Sequence, residues 1–260
     1  MNKINVIPAL SDNYIWCITS SNNKDVLILD PGKAQPVIKY LSARNLSLIG
    51  ICITHHHADH IDGVPELVEK YKCPVYGPEM TNPGIITHKL QHNTTLHINE
   101  LDLSFKVLST PGHTLDHIVY ITRITENYVL FSGDTLFSSG CGRVLEGSYD
   151  QMYRSLLTLK SLPDSTLVYC AHEYTLDNLE FALMLEPNNQ KLKAYHKKIK
   201  QLCGRGTPTV PTTIEDELQY NPFFRCHQNE IIMAVAQQAG SMPQTEVDVF
   251  TVIRKWKNRF

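Results

Sequence analysis

Short apolar runs that end at turn residues or polar clusters recur through the first two-thirds of the chain. Such runs predict buried β-strands, because a strand enclosed by protein needs only a few consecutive apolar residues. They lie at residues 25–32, 49–57, 101–113, 117–122, 127–134 and 166–173. Helical spacing of apolar residues occurs between them, at 64–72 and 150–162. Strands interleaved with helices are typical of an α/β architecture.

The pattern changes after residue 172. Apolar residues there recur at helical spacing, with few β-branched runs, over 179–186, 190–202, 229–240 and 246–260. A segment rich in Pro, Gly and Thr at 204–213 predicts an exposed connection. We therefore expect an α/β domain over residues 1–172 and a smaller, all-helical domain over residues 173–260.

Composition narrows the classes of function. The formal net charge of −2 argues against a general nucleic-acid-binding protein. No stretch approaches the ~20 apolar residues of a membrane span, and the first residues hold no apolar leader. The seven Cys are scattered without a C-x-x-C pair, which argues against a disulfide framework or a thiolate zinc site. We expect a cytoplasmic protein that binds neither nucleic acid nor membrane.

A dense group of metal-binding residue types follows the strand predicted at 49–57. The string THHHADH places His55, His57, Asp59 and His60 within six residues. In an extended segment, residues i and i+2 point the same way, so His55 and His57 can share one ion while His56 points away. Asp59 and His60 come after the turn, and their different geometry suits a second ion.

Three further candidate ligands also follow predicted strands. His113 lies in STPGHT, Asp134 in LFSGDT and His172 in VYCAHE. Imidazole and carboxylate groups together suit zinc, iron or manganese. Because a carboxylate has two oxygens, Asp134 is the candidate to bridge two ions. For the isolated histidines a structural role is expected: His88, His92, His97, His117, His196 and His227.

These motifs resemble those of the metallo-β-lactamase superfamily, in which THHHADH, PGHT, SGDT and AHE occur in the same order. Further segments narrow the resemblance to the glyoxalase II family, and they cover nearly the whole chain. They are SDNYIW, SGDTLFSSGCGR, AHEYTLDN, YNPFFR and the basic C-terminal helix. The resemblance implies a four-layer αββα sandwich with metals at one edge of the two sheets, followed by a helical domain.

Carried over position by position, the resemblance implies two metal sites and a glutathione site. The first metal would be held by His55, His57 and His113, the second by Asp59, His60 and His172, with Asp134 as the bridge. The expected glutathione contacts are Arg143, Tyr174, Arg254 and Lys257. Two positions depart from the family pattern: Leu145 stands where some members have an aromatic residue, and Asn258 where an Asp is common.

The activity that the resemblance implies is hydrolysis of the thioester of S-2-hydroxyacylglutathione, typically S-D-lactoylglutathione. The products would be glutathione and D-lactate, and the reaction would be the second step of methylglyoxal detoxification. Two divalent ions, zinc in first place with iron or manganese as alternatives, would lower the pKa of a bridging water from ~15.7 to about 7. Asp59 and Asp134 are the expected catalytic carboxylates, which would orient that water.

The terminal helix bears on the substrate independently of the resemblance. Its short basic segment carries Arg254, Lys255, Lys257 and Arg259 in a slightly acidic protein. Such a patch suits the two carboxylates of glutathione; alternatively, it is a solvated helix end that complements the helix dipole. We expect a monomer whose only partner is this small-molecule substrate.

Other readings of the same ligands remain open at this point. One is another hydrolase of the fold, such as a lactonase, a β-lactamase or a nuclease. A second is a glutathione-persulfide dioxygenase with one iron, although Asp59, His60 and His172 complete a second metal set that such enzymes lack. A third is a metal-binding or sensor protein without catalysis. Thioester loss against oxygen consumption distinguishes the hydrolase from the dioxygenase.

Overall fold

In the computed structural model, which describes residues 1–79 and 84–260, the chain forms two compact units. The first unit comprises Met1–Thr110 and Asp116–Gly133, and the second comprises Pro111–Leu115 and Asp134–Phe260. The domain boundary expected at residue 172 stays a prediction.

The first unit contains two β-sheets. Six strands form one sheet in chain order: β1 (Lys3–Ala9), β2 (Asn13–Thr19), β3 (Asp25–Leu29), β4 (Ser47–Cys52), β5 (Val75–Gly77) and β6 (His88–Lys89). Strands β1 to β3 are antiparallel, and β3 to β6 run parallel. The other sheet has the antiparallel strands β7 (Thr95–Ile98), β8 (Leu103–Ser109), β9 (Ile118–Ile124) and β10 (Asn127–Gly133).

Helices cover one face of the six-stranded sheet. They are α1 (Ala34–Arg44), the short α2 (Ala58–Ile61) and α3 (Val64–Tyr71). Val37 and Leu41 lie four positions apart on α1, so they share one face and pack into the sheet core, as Leu67 of α3 does. On the other side of the sheet, the Tyr120 hydroxyl of β9 donates to Ile53 O at 2.7 Å, which ties the two sheets together.

The second unit is mainly helical. Its strands are short: β11 (Leu136–Phe137), β12 (Gly140–Cys141), β13 (Leu167–Cys170) and β14 (Thr212–Thr213). Its helices are α4 (Tyr149–Lys160), α5 (Thr175–Leu185), α6 (Gln190–Cys203), α7 (Ile214–Tyr220), α8 (Asn229–Ala239) and α9 (Glu246–Lys257). Helix α9 begins with a capping box, in which the side chains of Thr245 and Asp248 each accept from the backbone N–H of the other. Its last turn is basic.

The six predicted strands correspond to β3, β4, β8, β9, β10 and β13, and the predicted helices to α3 to α6, α8 and α9. The expectation of an exposed connection at 204–213 is wrong in its second half. Thr209, Val210 and Thr212 are buried. Hydrogen bonds hold this part of the connection against the protein, because the backbone N–H and the hydroxyl of Thr209 both donate to the carboxylate of Glu173. No helix among the described residues has the length and apolar character needed to cross a membrane.

Candidate active site

The first unit gathers four of the predicted ligands just after β4. His55 and His57 lie on extended chain, and their Nε2 and Nδ1 atoms are 3.0 Å apart. Two nitrogens that share a tetrahedral zinc at 2.0–2.1 Å are separated by about 3.3 Å. The His55 ring is fully buried. His56 faces elsewhere and contacts Asp116 at 3.0 Å. The pair is therefore spaced as two ligands of one ion would be.

Helix α2 carries the other two ligands of this group. Asp59 Oδ2 lies 3.5 Å from His60 Nε2, and the His60 ring lies 4.1 Å from that of His55. Asn13 of the SDNYIW segment donates to Asp59 Oδ2 at 3.0 Å. The chain passes so close here that a Cβ on Gly32 would meet Asp59 O at 1.8 Å. Only glycine fits at position 32, and Asp59 is held from both sides.

A buried carboxylate that sequence reasoning missed, Asp30, fixes two of these histidines. It follows β3 with a φ of 50°, a conformation that Asp tolerates. Asp30 Oδ2 lies 3.0 Å from His60 Nδ1 and accepts from the Thr54 hydroxyl at 2.7 Å. The Thr54 oxygen in turn lies 3.0 Å from His55 Nδ1.

Proton placement follows from this chain of contacts. A carboxylate only accepts, so His60 carries its proton on Nδ1. The Thr54 hydroxyl donates its proton to Asp30, so its oxygen accepts a hydrogen bond from His55 Nδ1. Both rings then present an unprotonated Nε2, which is the state that a metal ligand requires. Asp30 follows an apolar strand as the predicted ligands do, and this signal could have found it.

The second unit gathers the remaining three predicted ligands around Asp134. His113 Nε2 lies 3.4 Å from Asp134 Oδ2, and His172 Nε2 lies 3.4 Å from Asp134 Oδ1. All three side chains are buried. Each carboxylate oxygen thus has its own imidazole at a separation typical of two ligands on one ion, which is the arrangement a bridging carboxylate needs.

Second-unit backbone and aromatic groups orient these ligands. His113 Nδ1 donates to Arg143 O at 2.8 Å, which leaves Nε2 unprotonated toward Asp134. The His172 ring stacks on Tyr174, with centroids 4.8 Å apart and planes 4° apart. Phe137 packs edge-on against both rings. The donor set and its supports therefore fit divalent metal ions.

A cavity of about 660 Å³ adjoins this group within the second unit. Its lining includes all four predicted substrate contacts and two predicted metal ligands: Arg143, Tyr174, Arg254, Lys257, His113 and Asp134. Asp177 and Glu180 also line it, so three basic side chains share its wall with three carboxylates. Leu145, where the sequence departs from the expected aromatic residue, is 59% exposed.

The two basic residues of α9 differ in their surroundings. Arg254 is buried and donates to Cys141 O at 2.6 Å and to Asn258 Oδ1 at 3.1 Å. Lys257 Nζ donates to Asp177 O at 2.8 Å. The pKa of Lys257 is lowered to about 8, mainly by burial and in part by the charges of Arg254 and Arg143, while Asp177 and Glu180 act in the opposite direction. Lys257 is therefore the pocket cation whose charge responds to mild alkali.

Cys141 is the one thiol on the cavity wall among the described residues. Burial raises its pKa to about 11, although Arg254 acts in the opposite direction. The thiol therefore stays protonated at neutral pH and is a poor nucleophile. A covalent mechanism through Cys141 is not supported by these surroundings.

Comparison with known families matches two models to consecutive parts of the chain. Residues 11–172 match the metallo-beta-lactamase superfamily, and residues 173–260 match the hydroxyacylglutathione hydrolase C-terminus. The predicted metallo-β-lactamase fold with a helical C-terminal part is confirmed. The structure from Myxococcus xanthus described as ETHE1 has a TM-score of 0.65 and 23% identity over 99% of this chain and 98% of that one. At that sequence identity, the similarity supports a shared fold and nothing more specific.

Sequence relatives of full length are more specific. The hydroxyacylglutathione hydrolase of Nitrosomonas eutropha is 47% identical over 99% of both chains. Those of Hahella chejuensis and Shewanella denitrificans are 45% and 42% identical over the whole of both chains. The chain belongs to the hydroxyacylglutathione hydrolase family of the metallo-β-lactamase superfamily.

Proposed function

We propose that the protein hydrolyses the thioester of S-2-hydroxyacylglutathione, with S-D-lactoylglutathione as the typical substrate and D-lactate and glutathione as products. The observation that carries the proposal is the cavity of the second unit, which places three basic side chains beside His113 and Asp134 on one wall. A site for glutathione thereby adjoins residues suited to hydrolysis. Relatives bearing the name hydroxyacylglutathione hydrolase over their full length support the same activity.

The metal assignment is part of this proposal. One ion would be held by His55, His57 and His113, a second by Asp59, His60 and His172, with Asp134 shared between them. Zinc, iron and manganese all accept this set of nitrogen and oxygen donors. Such a pair of ions, when bound, lowers the pKa of a water enough to make it a nucleophile near neutral pH.

The protein's own groups orient the reaction. Asp59, held by Asn13, and Asp134 can each accept a hydrogen bond from the attacking water and direct its lone pair. Tyr174 stacks on His172 and fixes the orientation of that ring. The departing group is a thiolate, which is stable enough to leave without a strong general acid. No side-chain nucleophile is needed, which agrees with the protonated state of Cys141.

Charge in the cavity selects the glutathione part. Arg143, Arg254 and Lys257 offer positive charge to its two carboxylates. Arg254 is paired with the neutral amide of Asn258, where an Asp is common in the family, so its charge is not cancelled by that partner. Tyr174 supplies an aromatic wall beside these cations.

Hydrolysis of S-D-lactoylglutathione, followed as loss of the thioester together with metal content on the same sample, tests the activity. We expect turnover without oxygen consumption. Oxygen-dependent loss of a glutathione persulfide, with no thioester hydrolysis, would instead favour the dioxygenase.

The substrate site is tested by Lys257→Glu. Loss of one charge-assisted contact of roughly 1.5–3 kcal/mol raises KM by roughly tenfold to a hundredfold. Arg259→Glu, an exposed cation on the same terminal segment, is the matched control and should leave KM near its original value. Equal KM values in the protein and both variants would contradict the proposed glutathione contact.

We further propose a monomer in the cytoplasm. All seven Cys are free thiols, as is usual in a reducing compartment. Sedimentation of the purified protein checks the first statement, and fractionation of the source cells checks the second.

A further inference from the structure

The two-residue turn between β11 and β12 stands beside the candidate active site in sequence and in space. The hairpin of β11 and β12 directly follows Asp134 and Thr135, and the chain leaves it through Gly142 into Arg143. Ser139, in the turn, has a φ of 57°, a left-handed conformation that is strained for a residue other than glycine. Something outside the turn must hold it in this shape.

Buried polar side chains from helices of the second unit supply that hold. Ser139 N donates to Glu217 Oε2 at 2.8 Å. Asn221 Nδ2 donates to the same Oε2 at 2.8 Å and to Gly140 O at 2.9 Å. Asn178 Nδ2 donates to Ser138 O at 3.1 Å. Glu217, which is fully buried, joins the first two of these contacts.

Positions on either side of the turn touch metal-ligand candidates. Phe137, the last residue of β11, packs its ring 5.9 Å from that of His172. Arg143, two residues after β12, accepts from His113 Nδ1 through its carbonyl. A shift of the turn would therefore move the groups that orient two histidines at once.

We propose that Glu217 is a positioning residue for the metal centre, acting through the turn at Ser138–Ser139 on His113 and His172. It touches neither ligand nor substrate. Its effect depends on one oxygen, Oε2, which accepts from the turn and from Asn221. Among the described residues, its other oxygen, Oε1, accepts only from the Thr212 hydroxyl, at 2.9 Å.

Because the two oxygens of Glu217 have different partners, a substitution can keep the hydrogen bonds of one oxygen and remove those of the other. Burial raises the pKa of Glu217 to about 8, and its hydrogen bonds act against that rise. In the neutral acid, Oε1 carries the proton and donates to the Thr212 oxygen, while Oε2 still accepts from Ser139. Glu217→Gln reproduces this pattern, with the amide nitrogen in the place of Oε1. Glu217→Met has similar length and no acceptor, so it leaves Ser139 N without its partner.

Zinc release into excess chelator, measured on the zinc-loaded protein, tests the proposal without reference to turnover. We expect Glu217→Met to release zinc at least about tenfold faster, the scale on which outer groups affect metal affinity, and to lose a similar factor in kcat/KM. Glu217→Gln should stay within about threefold of the original protein. In Glu217→Asp the side chain is one methylene shorter, so the carboxyl group no longer reaches Ser139 N and the variant should behave like Glu217→Met. It replaces the Met variant in the test if that variant does not fold.

Two controls separate positioning from loss of stability. Glu215→Met makes the same exchange at an exposed site on α7 and should change nothing. Glu186→Met makes the same exchange at another buried carboxylate of the second unit, whose hydrogen bonds come from Arg225, so it should lower the melting temperature without faster zinc release. Unchanged release in folded Glu217→Met, or equally fast release in Glu186→Met, would overturn the proposal. Absence of thioesterase activity in the original protein would refute the proposed function and leave the zinc comparison intact.

Discussion

Asp30→Asn is the substitution for which the structure gives the sharpest expectation. The carboxylate accepts from Thr54 N at 2.8 Å and from the Thr54 hydroxyl at 2.7 Å, and its Oδ2 lies 3.0 Å from His60 Nδ1. An Asn has one acceptor oxygen, which can stay on Thr54 N. Its amide nitrogen then occupies the place of Oδ2 and meets two former donors.

The size of the effect follows from those contacts. Hydrogen bonds to a charged group contribute about 1.5–3 kcal/mol each, and the bond from the Thr54 hydroxyl is lost together with the close contact to His60. Removal of a buried charge offsets part of this, so we expect a loss of about 3 kcal/mol in the free energy of unfolding. His60 can restore its contact only by accepting at Nδ1, which moves its proton to Nε2. The proposed ligand atom is then blocked, and metal affinity should fall by about 10–100-fold.

Urea unfolding of the metal-free protein measures the first effect, since bound metal would add its own stabilisation. Metal content after dialysis against dilute zinc measures the second. Asp25→Asn, at the opposite end of β3, serves as the control, because its carboxylate accepts from Asn22 Nδ2 in an exposed position. A metal-free stability within about 0.5 kcal/mol of the original, together with full metal content, would refute the reasoning for Asp30.

Three further predictions concern single residues. Asp134→Ala should abolish turnover and lose metal together; near-normal turnover with full metal content would refute its bridging role. Because the pKa of Lys257 is lowered to about 8, its charge is lost as pH rises, and KM should be flat below pH 8 and rise above it. Lys257→Arg should keep KM flat through that range, and an identical rise in that variant would contradict the assignment. For Glu217, whose pKa is raised from 4.5 to about 8, the fold favours the neutral acid, so its stabilisation is full below the unfolded pKa and is lost as pH rises through 8. Urea titrations should show a decline of at most about 1.4 kcal/mol per pH unit between pH 5 and 8 that Glu217→Gln lacks.

The strands and the metal-ligand candidates were accessible from the sequence because both depend on local pattern. An apolar run is buried wherever it folds, and polar residues at its end reach a sheet edge. His55 and His57 after β4, and Asp134 after β10, follow this rule. Asp30 follows this rule as well, but a single Asp before Pro-Gly is more typical of a turn than of a functional site.

The supports of the second unit were not accessible in this way. Glu217 follows Glu215 and Asp216 in the first turn of α7, where acidic residues are expected as exposed partners of the helix dipole. Sequence spacing does not say which of the three turns inward. Burial of Thr212 was missed for a related reason, because Pro, Gly and Thr predict a loop without indicating what the loop packs against.

The anchoring of the turn at Ser138–Ser139 limits how this protein could be shortened. A chain cut after residue 172 would keep all seven metal-ligand candidates. It would lose Asn178, Glu217, Asn221 and Arg254, whose side chains bind the backbone of residues 137–141. A minimal hydrolase built from the first 172 residues would therefore need a redesigned turn, for example one with glycine at position 139 and its own internal hydrogen bonds.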